Sequence, residues 1–151
     1  MNYIYLGLGD LYLPAVAAAI HLGRLRDGLP EQEFMEIPHF RHGKSEDNGL
    51  LHHAGKDEDG NHIWLACVNA QPEMIRRAVM SLLAIYGRDM TEVQVRPCVP
   101  ENPQVTGICS LLNRLGLTGL EKRVARRLAK NRYSDMKRIA GVQPAEGSPD
   151  K

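Results

Sequence analysis

Met1–Arg24 reads MNYIYLGLGDLYLPAVAAAIHLGR. Its opening, Asn2–Leu8, is an apolar run of strand length with no polar alternation, the pattern of a strand buried on both faces. Gly9-Asp10 ends that run. Pro14 suits the first turn of a helix over Ala15–Leu25, in which Ala17, Ala18 and Ala19 allow close packing on a sheet. A strand passing through a glycine turn into a helix is the opening unit of an α/β fold, and in such folds ligands bind at this joint.

Downstream, Asp27–Pro30 reads as a turn, Glu31–Phe40 as a short helix or irregular segment stopped by Pro38, and Arg41–Gly49 as a polar loop. Leu50–Gly55 and His62–Val68 flank Lys56–Asn61, and Asp59-Gly60 between two apolar runs predicts a β-hairpin. Gln71–Tyr86 is the plainest helix. Met74, Ile75, Ala78, Val79, Leu82, Leu83 and Tyr86 recur at helical spacing between Pro72 and Gly87. Glu92–Val99 reads as a strand that meets a rim at Pro97, and Val105–Leu115 as a helix closed by Gly116. Leu120–Ala140 suits helix, with the alternative of an edge strand over Arg123–Leu128 and a helix at Asn131–Ala140. Strands alternating with helices predict one α/β domain over residues 1–142, a three-layer sandwich with a mainly parallel sheet and the hairpin as its antiparallel edge. Gln143–Lys151 reads as a disordered tail.

The 151 residues are 43% hydrophobic and 25% charged with a net charge of +1, which predicts a soluble globular chain and offers no global attraction to nucleic acid or an acidic membrane. Nine Lys and Arg fall between Arg114 and Arg138 against Glu121 and Asp135 alone. Such a run on an amphipathic helix is a solvated face, so nucleic acid is not expected as a partner. Cys67, Cys98 and Cys109 lack C-x-x-C spacing and read as reduced thiols in a cytoplasm. Gly7, Gly9 and Asp10 interrupt the N-terminal apolar run, so neither export nor a membrane span is expected.

The turn Gly7–Leu13 is the first candidate site. Backbone N–H groups and a helix dipole converge there, which suits a phosphate or carboxylate. The loop has no G-x-x-x-x-G-K-[ST] and no complete G-x-G-x-x-G, and Asp10 sets a negative charge where an anion would lie. A small anion bound there would involve Gly7, Gly9, Asp10 and Tyr12, with Lys56 or Arg96 supplying positive charge. Leu11, Tyr12 and Leu13 would instead offer apolar contact to a partner. Among the histidines, His52 and His53 point to opposite faces of a strand, His39 and His42 share a loop, and His62 lies across the hairpin from His53. None has metal-site spacing, so no metal and no cofactor are expected. His21 reads as a helix-face residue rather than a base, and Asp57, Glu58 and Asp59 as a hairpin tip without the ligand spacing of a calcium loop. Ser45, Ser81 and Ser110 have no nucleophile motif around them.

The chain resembles domain-of-unknown-function family 3189, found in Gram-positive, largely spore-forming bacteria. The likeness is carried by Val16–Leu25 (VAAAIHLGRL), Ile37-Pro38-His39-Phe40, the hairpin Gly55–Asn61 (GKDEDGN) and Leu112–Leu117 (LNRLGL), and it spans about residues 2–140. Family members carry a small polar turn after the first strand, of the form Gly-Gly-Ala-His-Ser-Ser, where this chain has Gly7-Leu8-Gly9-Asp10-Leu11-Tyr12-Leu13. They also show a strand-like segment with a glycine before the final helix, where Arg123–Arg132 is basic and helix-compatible. With the histidine and hydroxyls missing, the expectation is a non-catalytic binding or protein-interaction module that pairs with itself or with a related chain. The alternative is an enzyme or sensor for a phosphorylated or carboxylated small molecule at the first strand-to-helix turn, so whether the chain is an enzyme stays open at this point.

Overall fold

In a computed structural model the described residues are 1–25, 33–41, 43–99 and 114–141, with 108, 111 and 112. The first strand, β1 (Asn2–Leu8), is central as expected of a run without polar alternation. With β2 (His52–Lys56), β3 (His62–Val68) and β4 (Val93–Pro97) it forms one sheet in the order β2-β3-β1-β4. β1 is parallel to both β3 and β4, and the hairpin strand β2 is the antiparallel edge. The fold is therefore α/β with a mixed, mainly parallel sheet.

Side-chain alternation divides the strand residues between two apolar clusters. Tyr5 of β1 and Ile63, Leu65 and Cys67 of β3 join the larger cluster, with α1 (Tyr12–His21) packed upon them. Ile4 and Leu6 alternate to the other cluster with Ala66, Val68, Val93 and Val95, where Ile75 and Val79 of α2 (Pro72–Ile85) pack. Every residue of α1 from Tyr12 to Ile20 is buried. Its outer side is closed by α3 (Thr118–Asn131) and α4 (Tyr133–Ala140), through Ala125, Ala129, Met136 and Ala140. Alanines at the centre of α1 let it sit between sheet and helices without bulk.

Several boundaries differ from expectation. α1 occupies Tyr12–His21 rather than Ala15–Leu25. The Asp10 carboxylate accepts the Tyr12 N–H at 3.1 Å and starts the helix early. Gly23 at φ 65° ends it, as the amides of Leu22, Gly23 and Arg24 turn back to the carbonyls of Ala18, Ile20 and Ala19. The alternative edge strand over Arg123–Leu128 is overturned, because this segment lies within α3. Glu121, Ala125 and Ala129 are buried at intervals of four, whereas Arg127, which a strand would set on the same face as the two alanines, is exposed. The helix expected at Gln71–Tyr86 is present as α2, with those two residues as its caps. The strand expected over Glu92–Val99 shortens to Val93–Pro97. The expected turn Asp27–Pro30, most of the helix Val105–Leu115, and the tail Gln143–Lys151 lie outside the described residues.

The polar segment Arg41–Gly49 contains a 3-10 turn, Ser45–Asp47. Asp47 anchors it by accepting from both Arg41 guanidinium nitrogens at 2.6 and 2.9 Å and from the Lys44 amide at 2.8 Å. The Arg41 bonds hold the Asp47 carboxyl far below its ordinary value in spite of burial. No described helix is long and apolar enough to cross a membrane.

Candidate functional site

The strand-to-helix turn is closed by its own chain. The Gly9 amide donates to the Val68 carbonyl at 2.9 Å, the Leu11 amide to Arg41 at 3.2 Å, and the Tyr12 amide to the Asp10 carboxylate. A β-carbon on Gly7 would lie 2.2 Å from the Asp10 carbonyl oxygen, and one on Gly43 would lie 2.8 Å from Cys67 Sγ and 2.9 Å from the Gly9 carbonyl oxygen. Glycine is required at both positions because backbone lies directly against backbone. Three amides that could have faced an anion are thus engaged.

Leu11, Tyr12 and Leu13 are 0, 3 and 1% exposed, so the contact they make is with their own chain rather than with a partner. The cause is the early start of α1, which turns an apolar loop into the first turn of a buried helix. Tyr12 lies edge-on to Phe40, with ring centres 4.9 Å apart, and its hydroxyl donates to Glu121 Oε1 at 2.6 Å. It stands between two buried carboxylates. Burial raises Asp10 to about 7; the Tyr12 N–H opposes that rise and the charge of Glu121 adds to it.

A different constellation forms at the other end of the sheet. α1 runs back along β1, so His21 returns to the start of the strand it followed. A crevice of about 620 Å³ opens there, lined by His21, Leu22, Lys56, Asp57, Tyr133 and Lys137 among others. The Tyr5 hydroxyl meets His21 Nδ1 at 2.6 Å, and His21 Nε2 meets Asp57 Oδ2 at 3.2 Å. Burial lifts the Tyr5 phenol far above its ordinary value, so it stays protonated and donates. Nδ1 is then the acceptor, and Nε2 carries the proton directed at Asp57.

Burial lowers the His21 pKa, against the opposing effect of Asp57, so the neutral ring is favoured. Burial works to raise Asp57, but hydrogen bonds from Asn61 and His21 outweigh it and leave the carboxyl lowered. Arg96 extends the chain of contacts. It donates to the Tyr5 hydroxyl at 3.4 Å and to the Ile139 carbonyl at 2.7 Å, and lies over the Tyr3 ring at 4.6 Å from its centre. Helix α1, the hairpin, β1, β4 and the end of α4 are thereby joined through one imidazole and one guanidinium.

Of the residues expected to bind an anion, Gly7, Gly9, Asp10 and Tyr12 lie together, whereas Lys56 and Arg96 belong to this second constellation. The strand register separates them: Lys56 pairs with His62 and His62 with Asn2, the end of β1 farthest from Gly9. Asp57, expected as a solvated tip, is the partner of His21. No motif marks the pair, since the two residues are 36 positions apart and meet only when α1 is short enough to end at the base of β1.

The other histidines pair off. His52 and His53 do point to opposite faces. His52 packs on His39, with ring centres 5.0 Å apart, and its Nε2 lies 3.2 Å from Asp47 Oδ1 without hydrogen-bond alignment. His53 Nε2 lies 3.2 Å from His62 Nδ1, beside Trp64. His42 is outside the described residues. Among the described residues no three His, Cys, Asp or Glu side chains are grouped to hold a metal ion. Cys67 and Cys98 are buried thiols, both pushed up by burial, and neither is poised as a thiolate.

Residues 2–142 match the family model described as "Protein of unknown function (DUF3189)", and the chain belongs to that family. No curated protein and no solved structure matches the chain. Two of the segments that carry the family resemblance, the alanine helix and the hairpin, meet at His21 and Asp57.

The Asp10 carboxyl gives a testable sign. Its folded-state pKa is raised from 3.8 to about 7, so the unfavourable term is absent below pH 4 and grows as the pH rises toward 7. Asp10→Asn keeps an acceptor for the Tyr12 amide and cannot ionise. Chemical denaturation is expected to show the variant more stable than wild type at pH 8, by at most about 4 kcal/mol, and near parity at pH 4. A variant less stable than wild type at pH 8, with the deficit shrinking toward pH 4, would show that Asp10 acts as a favourable carboxylate.

Proposed function

We propose that this chain is a non-catalytic binding module that works by protein interaction, with itself or with a related chain of its family. The proposal takes the architecture as a three-layer α/β sandwich in which α2 is one outer layer, acting in a bacterial cytoplasm. The observation that carries it is apolar exposure along α2. Met74, Leu82 and Ile85 of the helix and its C-terminal cap Tyr86 are 63, 53, 76 and 77% exposed. Apolar exposure concentrated on one helix marks a contact surface. The non-catalytic part rests on engaged chemistry: both ring nitrogens of His21 have partners within the chain, three amides of the first turn are bonded, and both described cysteines are buried as thiols.

Light scattering on the purified chain, alone and mixed with a related family member that carries the polar turn, tests this reading. A species heavier than the monomer is expected in at least one of the two samples, and strict monomers in both would overturn it.

A second reading keeps the small anionic ligand but moves it to the crevice, where Lys56 and Lys137 line an opening beside His21 together with Asp57, Glu58 and Asp59. For a phosphate or a dicarboxylate at one hundred times its Kd, thermal unfolding would show about 2.7 kcal/mol of added stability, abolished in Lys56→Glu. No shift with any such anion removes this reading.

A further inference from the structure

The hairpin gathers two histidines on one side of the sheet by an irregularity in its ladder. Lys56 pairs with His62 and Gly55 with Ile63, and then the register slips by one residue, so that His53 rather than Ala54 stands opposite Trp64. This β-bulge decides where His53 points. In an unbroken ladder His53 would lie opposite Leu65, on the side of the sheet that α1 covers. With the extra residue it joins His62 and Trp64 on the other side.

Three rings meet there. The His53 ring centre lies 4.7 Å from that of Trp64 and 5.3 Å from that of His62, and His62 stacks on Trp64 at 6.1 Å. Trp64 is held in place by its Nε1–H, which donates to Asn2 Oδ1 at 3.0 Å. His53 Nε2 and His62 Nδ1 face one another 3.2 Å apart. His53 is exposed and His62 half-buried, so the pair opens to solvent.

We propose that His53 and His62 form a two-imidazole site for a late first-row divalent metal ion, copper(II), nickel(II) or zinc(II), with water in the remaining positions. The site is independent of the interaction surface on α2. Its nitrogen separation suits one ion: two nitrogens 3.2 Å apart, each about 2.0–2.1 Å from a metal, subtend roughly 100° at it, between the square and tetrahedral angles of about 90° and 109°. The two rings need not move apart. They need only rotate so that both lone pairs converge, and the exposure of His53 allows this. The hydrogen bond that the ion replaces is a neutral one open to water, so little is lost with it. Imidazole selects these metals, whereas calcium and magnesium require oxygen ligands. Lys56, opposite His62 in the ladder, adds a positive charge that opposes the ion. With two protein ligands and that charge nearby, binding is in the micromolar range, weaker than in closed four-ligand sites.

Trp64 is the single tryptophan of the chain and lies against the site, which supplies a readout. Copper(II) added to the full chain should quench its fluorescence with saturation at one ion per chain, and zinc(II) should compete. Magnesium should do neither. His53→Ala and His62→Ala should both remain folded by circular dichroism, and each should weaken binding roughly tenfold or more. His39→Asn, in the other histidine pair, should leave it unchanged. In the unsubstituted chain, zinc(II) should shift the ring NMR signals of His53 and His62 together. Quenching without saturation up to millimolar copper, or saturable binding that survives either histidine substitution, overturns the proposal. So does a zinc-induced shift confined to one of the two rings.

Discussion

The hydrogen bonds at His21 are the constraint on which the lower end of the fold depends. Without the imidazole, the end of α1, the hairpin tip and the middle of β1 would have no shared polar contact, and the Tyr5 hydroxyl, in a residue 0% exposed, would lose its acceptor. A buried hydroxyl left unsatisfied costs about 1–3 kcal/mol. The ring sits where such a loss would be felt by three elements together. Both ring nitrogens are held within the chain, Nδ1 by Tyr5 and Nε2 by Asp57.

The opposite end of the sheet follows a parallel logic. The joint between β1 and α1 has the geometry of a ligand site, yet backbone from the Arg41–Gly49 segment lies on it and Asp10 occupies the position an anion would need. Burial of Leu11, Tyr12 and Leu13 completes the closure. Among the described residues the polar groups at both ends are engaged within the fold, while α2 and its cap carry four exposed apolar side chains, Met74, Leu82, Ile85 and Tyr86.

Much of this arrangement is legible in the residues. β1 and β3 follow from apolar runs of strand length, the hairpin from Asp59-Gly60, and α2 from apolar spacing bracketed by Pro72 and Gly87. The start of α1 is not legible, because Leu-Tyr-Leu after a glycine turn looks like exposed loop until Asp10 is seen to receive the Tyr12 amide. Basic residues at Arg123–Arg132 mask the Ala125–Ala129 stripe that makes that segment a helix. The meeting of His21 with Asp57 depends on the length of α1 and the register of the hairpin, and neither quantity is written in a local motif. The exposure of α2 is equally hidden: its helical spacing places apolar residues on more than one side, and only the packing tells which side is left over.

The protonation state of His21 is the most direct measurement of whether this chain holds its chemistry inside the fold. Nitrogen-15 NMR of the imidazole at neutral pH should show one neutral tautomer, with the proton on Nε2 and Nδ1 as acceptor, and Tyr5→Phe should disturb the Nδ1 signal first. Because the folded pKa lies below 6.5, protonation should set in only as the pH falls beneath that value, and stability should decline with it. A ring already protonated at neutral pH, or one exchanging between tautomers, would contradict its role as a tether.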